Sequence, residues 1–153
     1  MVIARYWLPV FLWMLVIFLM STDIGSGGHT SRILGPLVRW LMPGAPASTL
    51  DQIHFLVRKG GHLTEYAILG LLIWRALVRP RWRKLGGWHW KPALLAVGIS
   101  AAYAAGDEFH QSFVPSRGAS VRDVMIDSCG AAMGMLVLWV FVSRRRRPDA
   151  AGE

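Results

Sequence analysis

Long apolar stretches separated by polar segments dominate this chain and set the first expectation of its fold. Four stretches are almost free of charged residues, at residues 6–20, 63–78, 92–106 and 127–142. A helix needs about 20 residues to cross the hydrocarbon core of a bilayer, which is about 30 Å thick. Each stretch is about five residues too short, so the pattern predicts four transmembrane helices only if neighbouring residues lengthen them.

Basic residues mark one end of these spans. Residues 79–91 carry Arg and Lys but no acidic residue, and four consecutive arginines follow the last stretch. Cytoplasmic loops are enriched in Lys and Arg, so both segments are predicted to be cytoplasmic. Four spans then place the N-terminus on the cytoplasmic side as well. Trp7, Trp74 and Trp139 fall at the same ends, where interfacial tryptophans are expected.

The missing residues must therefore come from the outer ends of the spans. This predicts an all-α integral membrane bundle in a single domain, residues 1–153, with spans at about residues 5–21, 60–78, 92–112 and 123–142 and a basic cytoplasmic tail at 143–153. Between the first two spans, "SRILGPLVRWLMPG" mixes apolar and basic residues and is expected to form a short amphipathic helical segment on the outer interface. The next segment, "STLDQIHFLVRK", is expected to form a short helix that leads into the second span.

The composition agrees with a membrane protein. The hydrophobic fraction is 54%, and the charged fraction of 17% is well below the about 25% of soluble domains. A net charge of +8 can indicate nucleic-acid binding, but the apolar stretches are too long for a small soluble nucleic-acid module. No nucleic-acid partner is therefore predicted, and the basic clusters are interpreted as anchors at an anionic membrane surface.

Lengthening the spans draws ionisable side chains into three helices at similar depth on the outer side. Such groups cost about 2.5–3.5 kcal/mol each at the centre of a span and less when they lie shallow. One outward-facing pocket would explain why they occur together. The candidate acid–base residues are His62, Glu65, Asp107, Glu108 and Asp123. The candidate binding residues are Lys59, Tyr66, Gln111, Arg117 and Asp127.

Helical spacing supports a shared site. Side chains three or four residues apart lie on one face of a helix. Three sets have that spacing: Lys59, His62 and Tyr66; Asp107 and Gln111; and Asp123 and Asp127.

Small residues predict close helix contacts at two places. Gly130 and Gly134 form a G-x-x-x-G pair on the fourth span, and Gly98, Ala102 and Gly106 form a stripe on the third. Gly60 and Gly61 are expected to loosen the start of the second span.

Three interpretations of the polar residues stay open at this point. They form a structural network that locks helices together, or they bind or transport a polar headgroup, or they catalyse a reaction. In the catalytic case a carboxylate or His62 is the general base, and Lys59 and Arg117 hold an anion. The five candidate acid–base residues include acceptable metal ligands, although no H-E-x-x-H spacing is present. The sequence identifies neither a metal nor a cofactor.

The combination of motifs resembles the VanZ-like family of small bacterial membrane proteins. "KGGHLTEY" matches the pattern K-x-x-H-x-x-E-Y, and "DEFHQSFVPSR" matches D-E-x-x-Q-x-F-x-P-x-R. "DVMIDSCGAAMG" supplies the third pattern, D-x-x-x-D/N-x-x-G-x-x-x-G. The resemblance covers residues 57–134 at the level of motifs, and Gly60–Gly61 is its one departure, because bulkier residues are expected there.

The resemblance implies a multi-pass protein of the bacterial inner (cytoplasmic) membrane with both termini in the cytoplasm. The founding member of that family lowers sensitivity to teicoplanin, a lipid-tailed glycopeptide antibiotic that acts at the outer face of the membrane. The expected partner is a membrane lipid or a lipid-linked envelope precursor that the site binds and, in the catalytic case, modifies. The alternative is a non-catalytic scaffold or an antibiotic-shielding protein, and self-association is left open.

Overall fold

Five α-helices make up the regular structure of the described residues. The computed structural model of the chain describes residues 2–22, 27–79, 88–115 and 118–144. The helices are α1 (Val2–Ser21), α2 (Gly27–Leu41), α3 (Ala47–Val78), α4 (Trp90–Gln111) and α5 (Val121–Arg144). The all-α prediction is confirmed, and the segment between the first two predicted spans is helical, as expected.

Helix α3 is the centre of the bundle. It packs most extensively against α5 and also contacts α4, α1 and α2, while α5 packs against α4. Tyr66, Leu69 and Ile73 on α3 are fully buried, and Val10 and Ile17 of α1 join the same core. Burying these large side chains on one helix makes α3 the element against which the others are positioned.

Glycines on α5 allow a close approach to α3. A Cβ atom at Gly130 would lie 2.3 Å from the carbonyl oxygen of Leu63, and one at Gly134 would lie 2.9 Å from that of Ala67. Only a residue without a side chain fits where two helix backbones are this close. The predicted packing role of the G-x-x-x-G pair is confirmed.

The small-residue stripe on α4 behaves differently. A Cβ atom at Gly98 or Gly106 would meet nothing within 4 Å in the described part of the chain, and both glycines and Ala102 are exposed. The stripe therefore makes no close helix contact within the described bundle.

Helix α3 joins the second predicted span to the helical segment that precedes it. Its 32 residues run through Gly60 and Gly61 without a break, so the segment expected to be a short helix leading into that span is the first part of α3. Each glycine costs a helix only about 1 kcal/mol relative to alanine, which the packing of α3 can outweigh. At 1.5 Å per residue α3 is about 48 Å long, so part of it extends beyond a hydrocarbon core of about 30 Å.

Among the described residues, two helices are long and apolar enough to cross a membrane by length and composition, at Ala4–Ser21 in α1 and Val121–Arg144 in α5. The charged residues drawn into α3 and α4 make those helices more polar, and the prediction of four spans stays a prediction. Large apolar side chains are exposed around the bundle, including Phe11, Leu94 and Val137. Apolar surface of this extent is typical of a protein that contacts lipid or a partner.

Tryptophans gather where α3 ends and α4 begins. The ring centroids of Trp74 and Trp88 are 5.8 Å apart, those of Trp88 and Trp90 are 5.3 Å apart, and those of Trp90 and Trp139 are 5.8 Å apart. The Arg75 guanidinium lies over the ring of Tyr6, 5.7 Å from its centroid. We call this end of the bundle, defined by the four tryptophans, the aromatic end.

Candidate functional site

The described candidate residues of α4 and α5, and their partners on α3, lie at the opposite end of the bundle. Asp107, Glu108 and Gln111 occupy the last turns of α4, while Asp123 and Asp127 occupy the first two turns of α5. Antiparallel neighbours bring the end of one helix beside the start of the next, so these residues meet. We call the buried or largely buried polar residues found there the polar cluster: Ser21, Lys59, His62, Tyr66, Asp107, Glu108, Gln111, Asp123 and Asp127.

Two ion pairs join α3 to α5 within the polar cluster. Lys59 Nζ contacts Asp123 Oδ1, and one turn deeper His62 Nδ1 lies 3.4 Å from Asp127 Oδ1. Lys59 and His62 are three residues apart and Asp123 and Asp127 are four apart, so each helix presents its pair on one face. The spacing predicted from the sequence thus produces two matched contacts along one helix–helix seam.

Asp107 is held by hydrogen bonds from two other side chains. Its Oδ2 accepts from Ser21 Oγ at 2.6 Å and from Gln111 Nε2 at 2.9 Å. Gln111 Nε2 also lies 3.3 Å from Ser21 Oγ, to which it donates. These bonds fix the orientation of the carboxylate and tie the end of α1 to the end of α4.

Ser21 is the site residue that the sequence analysis did not identify. It is the last residue of α1 and is buried. Its position along the chain could have identified it. Ser21 is a polar residue at the predicted outer end of the first span, and the candidates on the other helices were selected because they lie at the outer ends of their spans.

Glu108 connects α4 to the start of α5. Its Oε2 accepts a hydrogen bond from the main-chain N–H of Ser120 at 2.7 Å. Ser120 directly precedes α5, and a carboxylate is stabilised near the N-terminus of a helix by the unpaired N–H groups there. Glu108 Oε1 is buried and has no hydrogen-bond partner among the described residues.

Tyr66 is the fully buried aromatic residue of the polar cluster. Its ring centroid is 6.3 Å from that of Tyr103, whose hydroxyl donates a 2.6 Å hydrogen bond to the main-chain oxygen of Met14. Tyr66 interacts electrostatically with Asp107 and Asp127, yet its own hydroxyl has no hydrogen-bond partner within the described ranges. A buried hydroxyl without a partner is unusual and indicates a place where a further polar group fits.

Glu65 lies beside the polar cluster and is half-buried. It interacts electrostatically with His62 and Tyr66, and its main-chain oxygen accepts a 2.9 Å hydrogen bond from Trp13 Nε1. Glu65 therefore belongs to the same region, and its main chain helps to hold α1 against α3.

The polar cluster is a single electrostatic unit. Glu108 interacts electrostatically with His62, Asp123 and Asp127, and Asp127 also interacts with Asp107. Five of the predicted residues therefore interact electrostatically across three helices.

Acidic side chains outnumber basic ones in the polar cluster. It contains four carboxylates, at Asp107, Glu108, Asp123 and Asp127, and two basic side chains, at Lys59 and His62. The remaining candidate, Arg117, lies outside the described residues. A buried carboxylate is costly unless hydrogen-bond donors or positive charge satisfy it.

The described residues offer no cluster that could hold a metal ion. Within those ranges no group of three His, Cys, Asp or Glu side chains is placed to do so. The metal-binding version of the site therefore has no support from this geometry.

A family model described as VanZ/LLP1 matches residues 6–142. This match covers most of the chain, so the protein belongs to the VanZ/LLP1 family, and the resemblance identified from the motifs is confirmed. Neither the curated proteins nor the solved structures give a significant match to the chain.

Proposed function

We propose that this VanZ/LLP1 family protein uses the polar cluster to bind the polar headgroup of a membrane lipid or a lipid-linked cell-envelope precursor. The observation that carries the proposal is the set of buried carboxylates from two helices whose oxygens are only partly hydrogen-bonded. Glu108 Oε1, Asp107 Oδ1 and Asp127 Oδ2 have no hydrogen-bond partner among the described residues, and Asp127 Oδ1 has only the 3.4 Å contact with His62. Natural proteins rarely bury such groups unless a ligand, ion or water satisfies them.

The proposed membrane arrangement places this site at the outer leaflet. α1, α3, α4 and α5 would each span the bilayer, with both termini in the cytoplasm and the aromatic end at the inner interface. The bacterial inner membrane is the proposed location. Lys91 and Arg144 at the aromatic end agree with this orientation, because basic residues are enriched on the cytoplasmic side.

The residues have distinct proposed roles. Lys59 and Arg117 would contact a phosphate or carboxylate of the ligand, and Tyr66, Gln111 and Asp127 would orient it. If the bound molecule is also modified, His62, Glu65, Asp107, Glu108 and Asp123 are the groups that would transfer protons. A lipid-facing site of this kind would suit a role in glycopeptide (teicoplanin) resistance, because that drug acts on lipid-linked precursor.

The alternative function is that of a scaffold in which the polar residues only hold helices together. The specific observation in its favour is that both ion pairs, Lys59–Asp123 and His62–Asp127, join the same two helices. In that case the polar cluster contributes to folding and to nothing else.

Replacing Glu108 by Gln separates the two functions. Glutamine keeps the size of the side chain and an oxygen that can accept from Ser120 N–H, so folding should be preserved. We expect the purified variant to lose at least about 90% of the lipid that copurifies with the wild type, measured by mass spectrometry, because charge-assisted hydrogen bonds are lost. Asp51→Asn, an exposed carboxylate-to-amide change on α3, is the matched control.

The same pair of variants can be tested in cells. Expression of the wild type in a teicoplanin-sensitive host should raise the inhibitory concentration, Asp51→Asn should match it, and Glu108→Gln should not. Full activity of Glu108→Gln in both assays would remove the ligand-binding function and leave the scaffold.

Cysteine labelling tests the orientation. Cys129 is the single cysteine of the chain, so a Cys129→Ala background allows a new cysteine at Ala119, an exposed position between α4 and α5. A membrane-impermeant maleimide added to intact cells should label this position. Labelling only after the membrane is opened would place the polar cluster on the cytoplasmic side.

A further inference from the structure

We propose that Tyr66, Asp107 and Asp127 form a subsite for a primary ammonium group of the ligand. This inference rests on the proposed headgroup-binding function and names the chemical class that the deepest part of the site accepts. It would make the preferred ligand zwitterionic, with an ammonium in this subsite and an anionic group at Lys59.

The proposed subsite contains buried acceptor oxygens that lack hydrogen-bond partners. Asp107 Oδ1, Asp127 Oδ2 and the Tyr66 hydroxyl are buried and have no hydrogen-bond partner in the described part of the chain, and Asp127 Oδ1 has only the 3.4 Å contact with His62 Nδ1. An alkylammonium group carries three N–H donors and no acceptor, so it matches a set of acceptors from three side chains. A phosphate or carboxylate would bring only further acceptors to the same place.

Hydrogen bonds fix the orientation of the Asp107 carboxylate in the subsite. Ser21 and Gln111 both donate to Asp107 Oδ2, so the hydrogen bonds that fix this carboxylate leave Oδ1 as its available oxygen. Tyr66 is 0% exposed and Asp107 only 4% exposed, which holds both groups in place before a ligand arrives. A preorganised subsite of this kind loses little conformational entropy on binding.

The charged groups around the subsite also favour an ammonium group. Lys59 and His62 are engaged with Asp123 and Asp127, and neither contributes an ion pair to Asp107 within the described residues. Tyr66 interacts electrostatically with both Asp107 and Asp127, which places the hydroxyl in the field of two carboxylates. A ligand ammonium would be attracted by these two carboxylates, whereas an anionic ligand group would be repelled by them.

Lipids with and without a charged amine in the headgroup provide the test. The full chain in detergent is titrated with phosphatidylethanolamine, N-acetylated phosphatidylethanolamine and phosphatidylglycerol, and bound lipid is measured by native mass spectrometry. Acetylation removes the positive charge but keeps the phosphate and the acyl chains. We expect phosphatidylethanolamine to bind at least about tenfold tighter than the other two, because charge-assisted hydrogen bonds are lost with the ammonium.

Variants assign the preference to this subsite. Asp107→Asn and Asp127→Asn should each reduce the ratio between the first two lipids to about one, since one carboxylate no longer attracts the ammonium. Tyr66→Phe removes a single hydroxyl and should reduce the ratio by a smaller factor. Asp51→Asn should keep the full ratio. A preference that survives in all three cluster variants would overturn the assignment.

The outcomes distinguish the subsite from the function on which it rests. Equal binding of all three lipids to the wild type would overturn the ammonium subsite but leave headgroup binding in place. No binding of any of them would remove both. Displacement of bound lipid by soluble glycerophosphoethanolamine at an equal concentration would support the ammonium subsite but assign it to a soluble amine. The comparison in the wild type decides the central question even if a variant fails to fold.

Discussion

The two ends of the bundle bury different kinds of side chain. At the aromatic end, four tryptophans form a chain of ring contacts, and the buried side chains there, such as Val78 and Ala93, are apolar. At the polar end, the same helices bury four carboxylates. Burial of aromatic and aliphatic surface stabilises a fold directly, whereas burial of charge stabilises it only when every charge is paired and hydrogen-bonded.

The difference in buried side chains indicates different roles for the two ends. The aromatic end has the composition of an interfacial anchor and of a packed core. In the polar end, ion pairs account for Asp123 and Asp127, while the described contacts leave Glu108 Oε1 and Asp107 Oδ1 without partners. A polar network that served only stability would be expected to satisfy its members. Four changes, taken from the largest expected effect on stability to the smallest, test this contrast.

A leucine at Gly130 should cause the largest loss of stability. Its Cβ atom would overlap the carbonyl oxygen of Leu63, so α5 must move away from α3. We expect a loss of about 3 kcal/mol or more in the free energy of unfolding, measured by denaturant titration in detergent. Gly98→Leu on the exposed stripe of α4 is the control. Equal stability of the two variants would contradict the described α3–α5 seam.

Removing one partner of an ion pair should have the next largest effect. Lys59→Met leaves Asp123 largely buried without its cation, and we expect a loss of about 3 kcal/mol in the free energy of unfolding. The double variant Lys59→Met/Asp123→Leu should recover most of that stability, since a hydrophobic pair replaces the ion pair.

The double variant also separates stability from function. Under the ligand-binding account it should be stable but should bind lipid at least about tenfold more weakly, because the cation that contacts the anionic group is absent. Recovery of both properties together would favour the scaffold.

A change at the aromatic end should reduce stability without altering ligand preference. Trp74→Leu removes a largely buried indole stacked on Trp88 and should cost about 2 kcal/mol in thermal or chemical unfolding. Its relative affinities for the three lipids should equal those of the wild type. A changed preference would show that the two ends are not independent.

The smallest stability effect is expected at Ser21. Ser21→Ala removes one hydrogen bond to Asp107 and should lower the free energy of unfolding by about 1 kcal/mol. Because Gln111 still holds the same oxygen, lipid binding should weaken by only a few-fold. Loss of all binding would make Ser21 part of the ligand contact itself rather than a positioning residue.

Helical periodicity and chain direction carry most of the geometry that brings the candidate residues together. The three- and four-residue spacings predicted one face of α3 for Lys59 and His62 and one face of α5 for Asp123 and Asp127, and the structure packs these two faces against each other. The rule that basic residues fix one end of each span then put the acids of α4 and α5 at the same end as Lys59. The G-x-x-x-G pair predicted a close helix contact on α5, and the structure places α3 there.

Other features depend on contacts that one-dimensional patterns do not contain. The main-chain N–H of Ser120, just before α5, donates to Glu108 of another helix, a contact that no spacing along the chain predicts. Gly60 and Gly61 were expected to loosen the start of the second span, but α3 is continuous through both. The stripe at Gly98 has the same spacing as the pair at Gly130, and only the neighbouring helix decides which of them is buried.

The most direct test of the central claim is the stabilisation that lipid confers on the wild type and on Glu108→Gln. A ligand that binds only the folded state raises the unfolding temperature as its concentration increases. The account predicts similar unfolding temperatures for the two proteins without added lipid and a rise on adding phosphatidylethanolamine for the wild type alone. An equal rise in both proteins, with a lower starting temperature for Glu108→Gln, would show that the polar end is a structural lock.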